Sequence, residues 1–220
     1  MNSPLISIMI PHHGGQKILQ DCLNSLESTD YSNLEILVLD NKSPDDSIKN
    51  IQPKFSNVQF IKSEYNRGFA GGCNFLSTHA NGKYLLILNN DTLHEKNWIT
   101  PLLERMKKNE NISSVQPKIK NYDDKNHFDH AGASGGFMDK YCFPFARGRI
   151  FNTIEKDEGQ YDDPCQIFWA SGTAFLTKKS IFDKIGGFDE NLFAHMEEID
   201  YHWKCQLLGY EVWVEPSSTI

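Results

Sequence analysis

The sequence lacks several things, and each absence narrows what it can be. No stretch reaches the ~18 consecutive apolar residues that a membrane-spanning helix needs. The early apolar run at residues 5–10 is short and follows no basic segment, so Met1–Ser7 does not read as a secretory leader. Cysteines number five in 220 residues (Cys22, Cys73, Cys142, Cys165, Cys205), an odd and scattered set with no C-x-x-C pair. That argues against a zinc site or a disulfide framework and predicts reduced thiols in a cytoplasmic protein. Basic residues are outnumbered, 22 Lys and Arg against 29 Asp and Glu, for a net charge of −7. General nucleic-acid binding is thereby excluded, since it rests on neutralising phosphates, although a small site for one phosphorylated ligand is not. There is no G-x-G-x-x-G after the first strand and no G-K-[ST], which disfavours nicotinamide dehydrogenases and P-loop enzymes. No internal repeat or low-complexity tract is present.

What remains is ordinary globular composition, 39% hydrophobic and 23% charged, in a length that fits one domain spanning 1–220. Residues 5–10 predict a buried strand, ended by Pro11. Ile18, Leu19, Cys22, Leu23 and Leu26 then recur at helical spacing. Further strands are predicted at 34–39, 58–61 and 84–88, with turn chemistry at 41–47 and a glycine-rich loop at 66–74 that opens a helix. Strands alternating with helices imply an α/β fold with a mostly parallel central sheet. In such sheets ligands bind beyond the carboxyl ends of the strands, so Pro11–His13, Asp40 and Asn89–Asp91 are expected to line one crevice. The second half, 120–220, predicts a strand at 167–177, a short helix at 180–185, a helix at 197–208 and a strand at 211–215, forming a smaller lobe. Residues 120–165 have no clear period. Their aromatics (Phe128, Phe137, Tyr141, Phe143, Phe145, Phe151) lead us to expect a long functional loop region that buries them.

Three polar groups can carry chemistry. Asn89-Asn90-Asp91 follows an apolar strand, where one carboxylate can hold Mg²⁺ or Mn²⁺ together with substrate phosphates; a plain turn accounts for the same residues. The loop containing Arg67, Gly71, Gly72 and Asn74 can bring backbone N–H groups to a phosphate at a helix start, or can simply be a tight turn. Glu197, Glu198 and Asp200 place three carboxylates within four positions. Their repulsion and burial can raise one pKa toward that of a general base, whereas acids at a helix N-terminus also serve its dipole. His12 and His195 stand beside these groups, and Trp169 can be core or a stacking surface for a sugar.

The order of these segments is more specific than any one of them. Ser7-Ile-Met-Ile-Pro11, Asp40-Asn41, Asn66-Arg-Gly-Phe-Ala-Gly-Gly-Cys-Asn74, Leu88-Asn-Asn-Asp-Thr92, Gly172-Thr-Ala-Phe, Gly186-Gly-Phe-Asp-Glu190 and Glu197-Glu-Ile-Asp200 follow one another along nearly the whole chain. Together they resemble the inverting family 2 glycosyltransferases of GT-A fold, and within them the rhamnosyltransferase-like members. The resemblance implies transfer of a sugar from a nucleoside-diphosphate donor, dTDP-rhamnose or a UDP-sugar, to a hydroxyl of a glycan or lipid-linked acceptor in cell-surface polysaccharide synthesis. It implies donor contacts from Pro11, His12, Asp40, Arg67, Gly71, Gly72, Asn74 and Asn90, and Mg²⁺ or Mn²⁺ on Asp91 and Asn89. Glu198 falls at the position of the catalytic base, with Glu197 and Asp200 as supports, and Trp169, Gly172 and His195 on the acceptor side. It further implies a closing segment beyond Ile220, and with it peripheral association at the inner face of a membrane. A sugar-nucleotide- or glycan-binding module without catalysis is the alternative from another class.

Overall fold

The computed structural model describes residues 3–130 and 132–220. Met1 and Asn2 of the N-terminal stretch, and Ala131 within 120–165, lie outside the described residues. The chain opens with β1 (Ile6–His12), α1 (Gln16–Glu27), β2 (Leu34–Asp40), α2 (Ser47–Ile51), β3 (Val58–Lys62), α3 (Gly68–Ser77) and β4 (Tyr84–Leu88). It continues through α4 (Ile99–Lys108), β5 (Ile112–Lys118), and two hairpins made of β6 (Gly136–Met138), β7 (Pro144–Ala146), β8 (Arg149–Ile150) and β9 (Thr153–Ile154). The last elements are β10 (Cys165–Ile167), β11 (Ala174–Lys178), α5 (Lys179–Ile185), α6 (Glu197–Leu207) and β12 (Glu211–Thr219).

Eight strands form one sheet in the order β10-β12-β5-β11-β4-β1-β2-β3. The strands β4, β1, β2 and β3 run parallel, as the βα alternation predicts. The strand β11 is antiparallel to both β4 and β5, and β12 returns parallel to β5. The sheet therefore passes without interruption through both halves of the chain.

Side-chain alternation along the strands builds two cores, one on each face. Ile6, Ile8 and Ile10 of β1 pack with Leu19 and Leu23 of α1, Ile51 of α2, and Ile99, Leu102 and Met106 of α4. Met9, Leu37 and Leu39 point the other way, against Ala70, Cys73 and Leu76 of α3, Phe182 of α5, and Tyr201 and Cys205 of α6. The cysteines are all free; Cys22, Cys73 and Cys205 are packing residues inside these cores. Among the described residues no helix is long and apolar enough to cross a membrane.

Three sequence expectations are corrected. Residues 167–177 are not one strand: β10 ends at Ile167 on the sheet edge, and β11 starts at Ala174 three places along the sheet and runs in the same direction, so the turn at Ser171–Thr173 breaks the apolar stretch and the chain re-enters beyond β12 and β5. The glycines of 66–74 belong to the first turns of α3 and not to a loop. Residues 120–165 hold the two hairpins, and of their aromatics only Phe128 is fully buried, while Tyr141, Phe143, Phe145 and Phe151 are exposed. Hairpins two or three residues long have one face to cover, and the sheet supplies no second layer for the other.

Candidate active site

A cleft of about 370 Å³ opens beyond the carboxyl ends of β1 and β4, where open α/β sheets place their ligands. Its walls are Pro11–Gly14, Asn41, Asn66, Gly68, Phe69, Asn89–Asp91 and Phe193. A second cleft of about 470 Å³ lies between residues 89–95, 119–122 and 129–130. Asn89 and Asp91 line both.

The Asn89–Asp91 turn is fixed at its start by Asn89 N–H, which donates to Thr173 O (2.9 Å), and at its end by Thr92 Oγ1, which donates to Asn89 O (2.9 Å). Thr92 is itself held by His94 Nε2 (3.0 Å), whose ring stacks on Trp98 at 4.5 Å between centroids. Burial drives the His94 pKa down to about 3, so this support stays neutral. Between the fixed ends, the Asp91 carboxylate is exposed. Among the described residues no three His, Cys, Asp or Glu side chains converge on a metal position. A cation that keeps its waters and takes diphosphate oxygens needs only one or two carboxylates, and the exposed Asp91 with the half-buried Asn89 fits that requirement.

The loop after Asp40 reaches the cleft through a residue that the sequence reading named only as part of a motif. Asn41 is buried. Its backbone N–H donates to His12 O (2.8 Å), its Nδ2 to Gly68 O (2.9 Å), and its Oδ1 accepts Arg67 N–H (2.8 Å). One residue thus ties β1 and the start of α3 together at the end of β2. Asp40 accepts Ser43 N–H (2.9 Å) and does not line the cleft.

Other expected donor residues sit behind the cleft. Arg67 lies over Phe75 (4.2 Å) and Tyr65 (4.5 Å) and donates to Ser63 Oγ (3.0 Å). Gly71 and Gly72 are buried, and a Cβ on Gly72 would meet Pro11 Cβ at 3.3 Å, so its role is close approach of α3 to β1. Asn74 accepts Phe188 N–H (2.9 Å) and donates to Phe188 O (2.9 Å), which docks the segment leading to the acids.

That segment has an unusual backbone. Phe193, His195 and Met196 all have positive φ (55°, 71° and 72°), immediately before α6. Phe193 O accepts Phe69 N–H (2.8 Å) and Ala70 N–H (3.2 Å), so it caps α3 in place of a capping side chain. The chain then turns into Glu197 and Glu198.

Glu197 is 4% exposed, and Glu198 is half-buried; each has one carboxylate oxygen buried without a hydrogen-bond partner among the described residues. Burial, then the charge of Glu197, pushes the Glu198 pKa up to about 7. Burial raises Glu197 too, against a lowering by the exposed His195. Asp200 is bonded to Lys204 Nζ (2.6 Å). Beneath the acids, His202 is fully buried; its Nδ1 accepts Ala170 N–H (3.3 Å), and its Nε2 has no partner among the described residues.

Gly172 joins the acids to the cleft. A Cβ there would stand 3.4 Å from the Phe69 ring and 3.7 Å from Glu197 Oε1, so Gly172 lies between the two at contact distance. Trp169 is 8% exposed and packs over Gly136, with Nε1 donating to Phe137 O (3.0 Å), which makes it a wall and not a free stacking surface. The structure therefore gathers Pro11, His12 and Asn89–Asp91 in one cleft. It sets Gly172 and Glu197 against the cleft residue Phe69, with Glu198 next in the chain, and keeps Arg67, Gly71, Gly72, Asn74 and Asp200 in other contacts.

A general base at Glu198 would have to be ionised to take a proton, so in that role activity is expected to rise with pH through about 7 and level off above it. A pH profile of kcat/KM checks this, and a profile flat from pH 5 to 9 would contradict it.

The sequence and fold have known counterparts. The family model for glycosyl transferase family 2 matches residues 7–186. Poly-beta-1,6-N-acetyl-D-glucosamine synthase of Staphylococcus epidermidis is 26% identical over 215 residues, 96% of this chain and 48% of its own. N-acetylglucosaminyl-diphospho-decaprenol L-rhamnosyltransferase of Mycobacterium tuberculosis is 22% identical over 216 residues, 92% of this chain and 70% of its own. GalNAc-T7, solved with UDP, GalNAc and Mn²⁺, superimposes with a TM-score of 0.79 at 17% identity, over 99% of this chain and 43% of its own. The chain spans about half the length of the first of these relatives.

Proposed function

We propose, from the premise that this chain belongs to glycosyl transferase family 2, that it transfers a sugar from a nucleoside-diphosphate donor to an acceptor hydroxyl with inversion, in the assembly of a polysaccharide or glycolipid. The fold is that of the GT-A glycosyltransferases, with an eight-stranded central sheet. The observation that carries the proposal is a cleft with an exposed carboxylate, Asp91, whose wall residue Phe69 faces Glu197 across Gly172, the next residue being the half-buried Glu198 with its pKa raised to about 7.

In this reading the cleft between Pro11, Asn66, Phe69 and Phe193 receives the donor nucleotide. Asp91, with Asn89, would hold a divalent cation, which would supply positive charge against the departing diphosphate. Glu198 removes the proton from the acceptor hydroxyl as that oxygen attacks the anomeric carbon, and one displacement inverts it. Glu197 keeps Glu198 basic through its charge. The buried Trp169 forms a wall on the acceptor side that would help exclude the water that otherwise hydrolyses the donor. The relative from Mycobacterium tuberculosis is named as a rhamnosyltransferase, which supports dTDP-rhamnose as the first donor to try and UDP-sugars as the second.

The test is release of nucleoside diphosphate from a panel of dTDP-, UDP- and GDP-sugars with Mg²⁺ or Mn²⁺. Binding without release, measured with acceptors of several classes, would favour a non-catalytic binding module instead. Asp91→Asn is expected to abolish the metal dependence of donor binding and to cut turnover, while the melting temperature stays put because Asp91 is exposed. Calorimetry with Mn²⁺ and nucleoside diphosphate against nucleoside diphosphate alone reads that difference.

A further inference from the structure

The resemblance places His12 against the donor nucleotide, but the structure leaves its ring no free nitrogen. The residue is 1% exposed, at the carboxyl end of β1. Its Nδ1 lies 2.7 Å from Asn90 Nδ2. An amide nitrogen only donates, so Nδ1 accepts, and the ring proton resides on Nε2. Nε2 then donates to Ser47 Oγ (2.8 Å), and Ser47 Oγ donates to Asp45 Oδ1 (2.5 Å). The remaining Asp45 oxygen accepts Gly15 N–H (2.8 Å). Each of the three side-chain links has one allowed direction. They form a line from Asn90, through the end of β1, to the loop after β2.

The far end of that line meets the Asn89–Asp91 turn at its least supported point. Asn89 and Thr92 hold the two ends of the turn, as described above. Among the described residues His12 is the only hydrogen-bond partner of the Asn90 side chain. We propose that His12 is a positioning residue that orients Asn90, and with it the turn that presents Asp91 to a divalent cation and the donor diphosphate. This rests on the donor reading given above. It assigns His12 a task other than touching the nucleobase, and it extends the working part of the site to Ser47 and Asp45, which do not line the cleft.

Two amide replacements separate this role from simple bracing. His12→Asn puts Oδ1 near the place of Nδ1, keeping an acceptor for Asn90 and losing Ser47. His12→Gln puts Nε2 near the place of the ring Nε2, keeping the donor to Ser47 and losing Asn90. With Mn²⁺ present, His12→Gln is expected to bind UDP or dTDP at least about tenfold more weakly than His12→Asn, the size of one lost hydrogen bond to a positioned group. Thermal melts establish that both variants are folded. Equal affinities, or the reverse order, would overturn the proposal and leave His12 as a brace. A second readout needs no ligand: ¹⁵N-histidine spectra should show His12 as the neutral Nε2–H tautomer, and an Nδ1–H tautomer would break the line itself. Failure of the native protein to bind either nucleotide with Mn²⁺, alongside the expected tautomer, would overturn the donor reading and the function of His12 with it, while the hydrogen-bonded line stood.

Discussion

Replacing Glu198 with glutamine is expected to lower sugar transfer by about 10²–10⁴-fold, the range by which a positioned general base contributes. Donor affinity should remain nearly intact, because Glu198 does not line the cleft that holds Asn89–Asp91. The same substitution is expected to stabilise the protein in mild alkali. The carboxyl has an ordinary value of 4.5 and rises to about 7 in the fold, mainly through burial. Its raised pKa means that folding favours the protonated form. Relative to that form, stability is undiminished below about pH 4.5 and falls as pH rises through about 7, by an order of 1–3 kcal/mol. Glutamine cannot ionise, so the variant escapes that loss. Melting curves at pH 5 and pH 8 should show the native protein losing stability relative to Glu198→Gln. Retained turnover in the variant would move the base elsewhere; equal pH dependence of the two melts would mean that Glu198 is not held in the buried setting described.

The second large effect is expected at Gly68. Its φ is +69°, and a Cβ there would stand 2.3 Å from Phe193 O and 2.7 Å from the Phe193 ring. The first contact is backbone and cannot rotate away. Gly68→Ala therefore combines left-handed strain with overpacking, for a destabilisation of about 2–5 kcal/mol. The functional loss should exceed what the stability loss explains. Phe193 O is the acceptor for the first free N–H groups of α3, and Phe193 lies four residues before Glu197. Pushing it outward moves both a wall of the cleft and the entry to α6. Urea unfolding gives the first quantity, and kcat measured well below the unfolding transition gives the second. A variant with native stability and turnover would mean that the Phe193 segment sits farther from α3.

The parallel half of the fold is legible in the sequence because its strands are short, mostly apolar runs bounded by polar or turn-forming residues, with a periodic helix after the first; Pro11, expected to end β1, is instead paired within it, and the strand runs on to His12. The strand at β11 is not legible, because β10, its turn and β11 read as one apolar stretch; nothing local says that the chain leaves the sheet edge and re-enters three strands away after Ser171–Thr173. The candidate site is half legible. Polar residues at strand ends mark the cleft, and three clustered acids mark α6. Which of those acids is buried, however, depends on packing from distant segments: Phe69 and Gly172 next to Glu197, and Lys204 next to Asp200. Asn41 and Phe193 act largely through backbone groups, Asn41 by its own N–H and its side chain's two backbone partners and Phe193 by its carbonyl. Backbone partners leave little trace in residue type. Ser47 and Asp45 looked like turn residues; Asp45 is one, Ser47 opens α2, and the Ser47 side chain links His12 to Asp45.

The strand order carries a consequence for how the molecule assembles. The partners of β1 (β2 and β4) are all made by residue 88, from segments joined by short crossovers. The partners of β5 are β11 and β12, which begin 56 or more residues after β5 ends at Lys118. Closing loops of that length is entropically slow. The parallel quartet should thus gain protection first, and β5 should wait until the later strands arrive on either side of it. The turn bearing Asp91 then belongs to the early body and the helix bearing Glu198 to the late one. A refolding chain would pass through a stage that owns the cleft's nucleotide side before it owns a base, and pulsed hydrogen exchange should find amides of β1 and β2 protected ahead of those of β5 and β12.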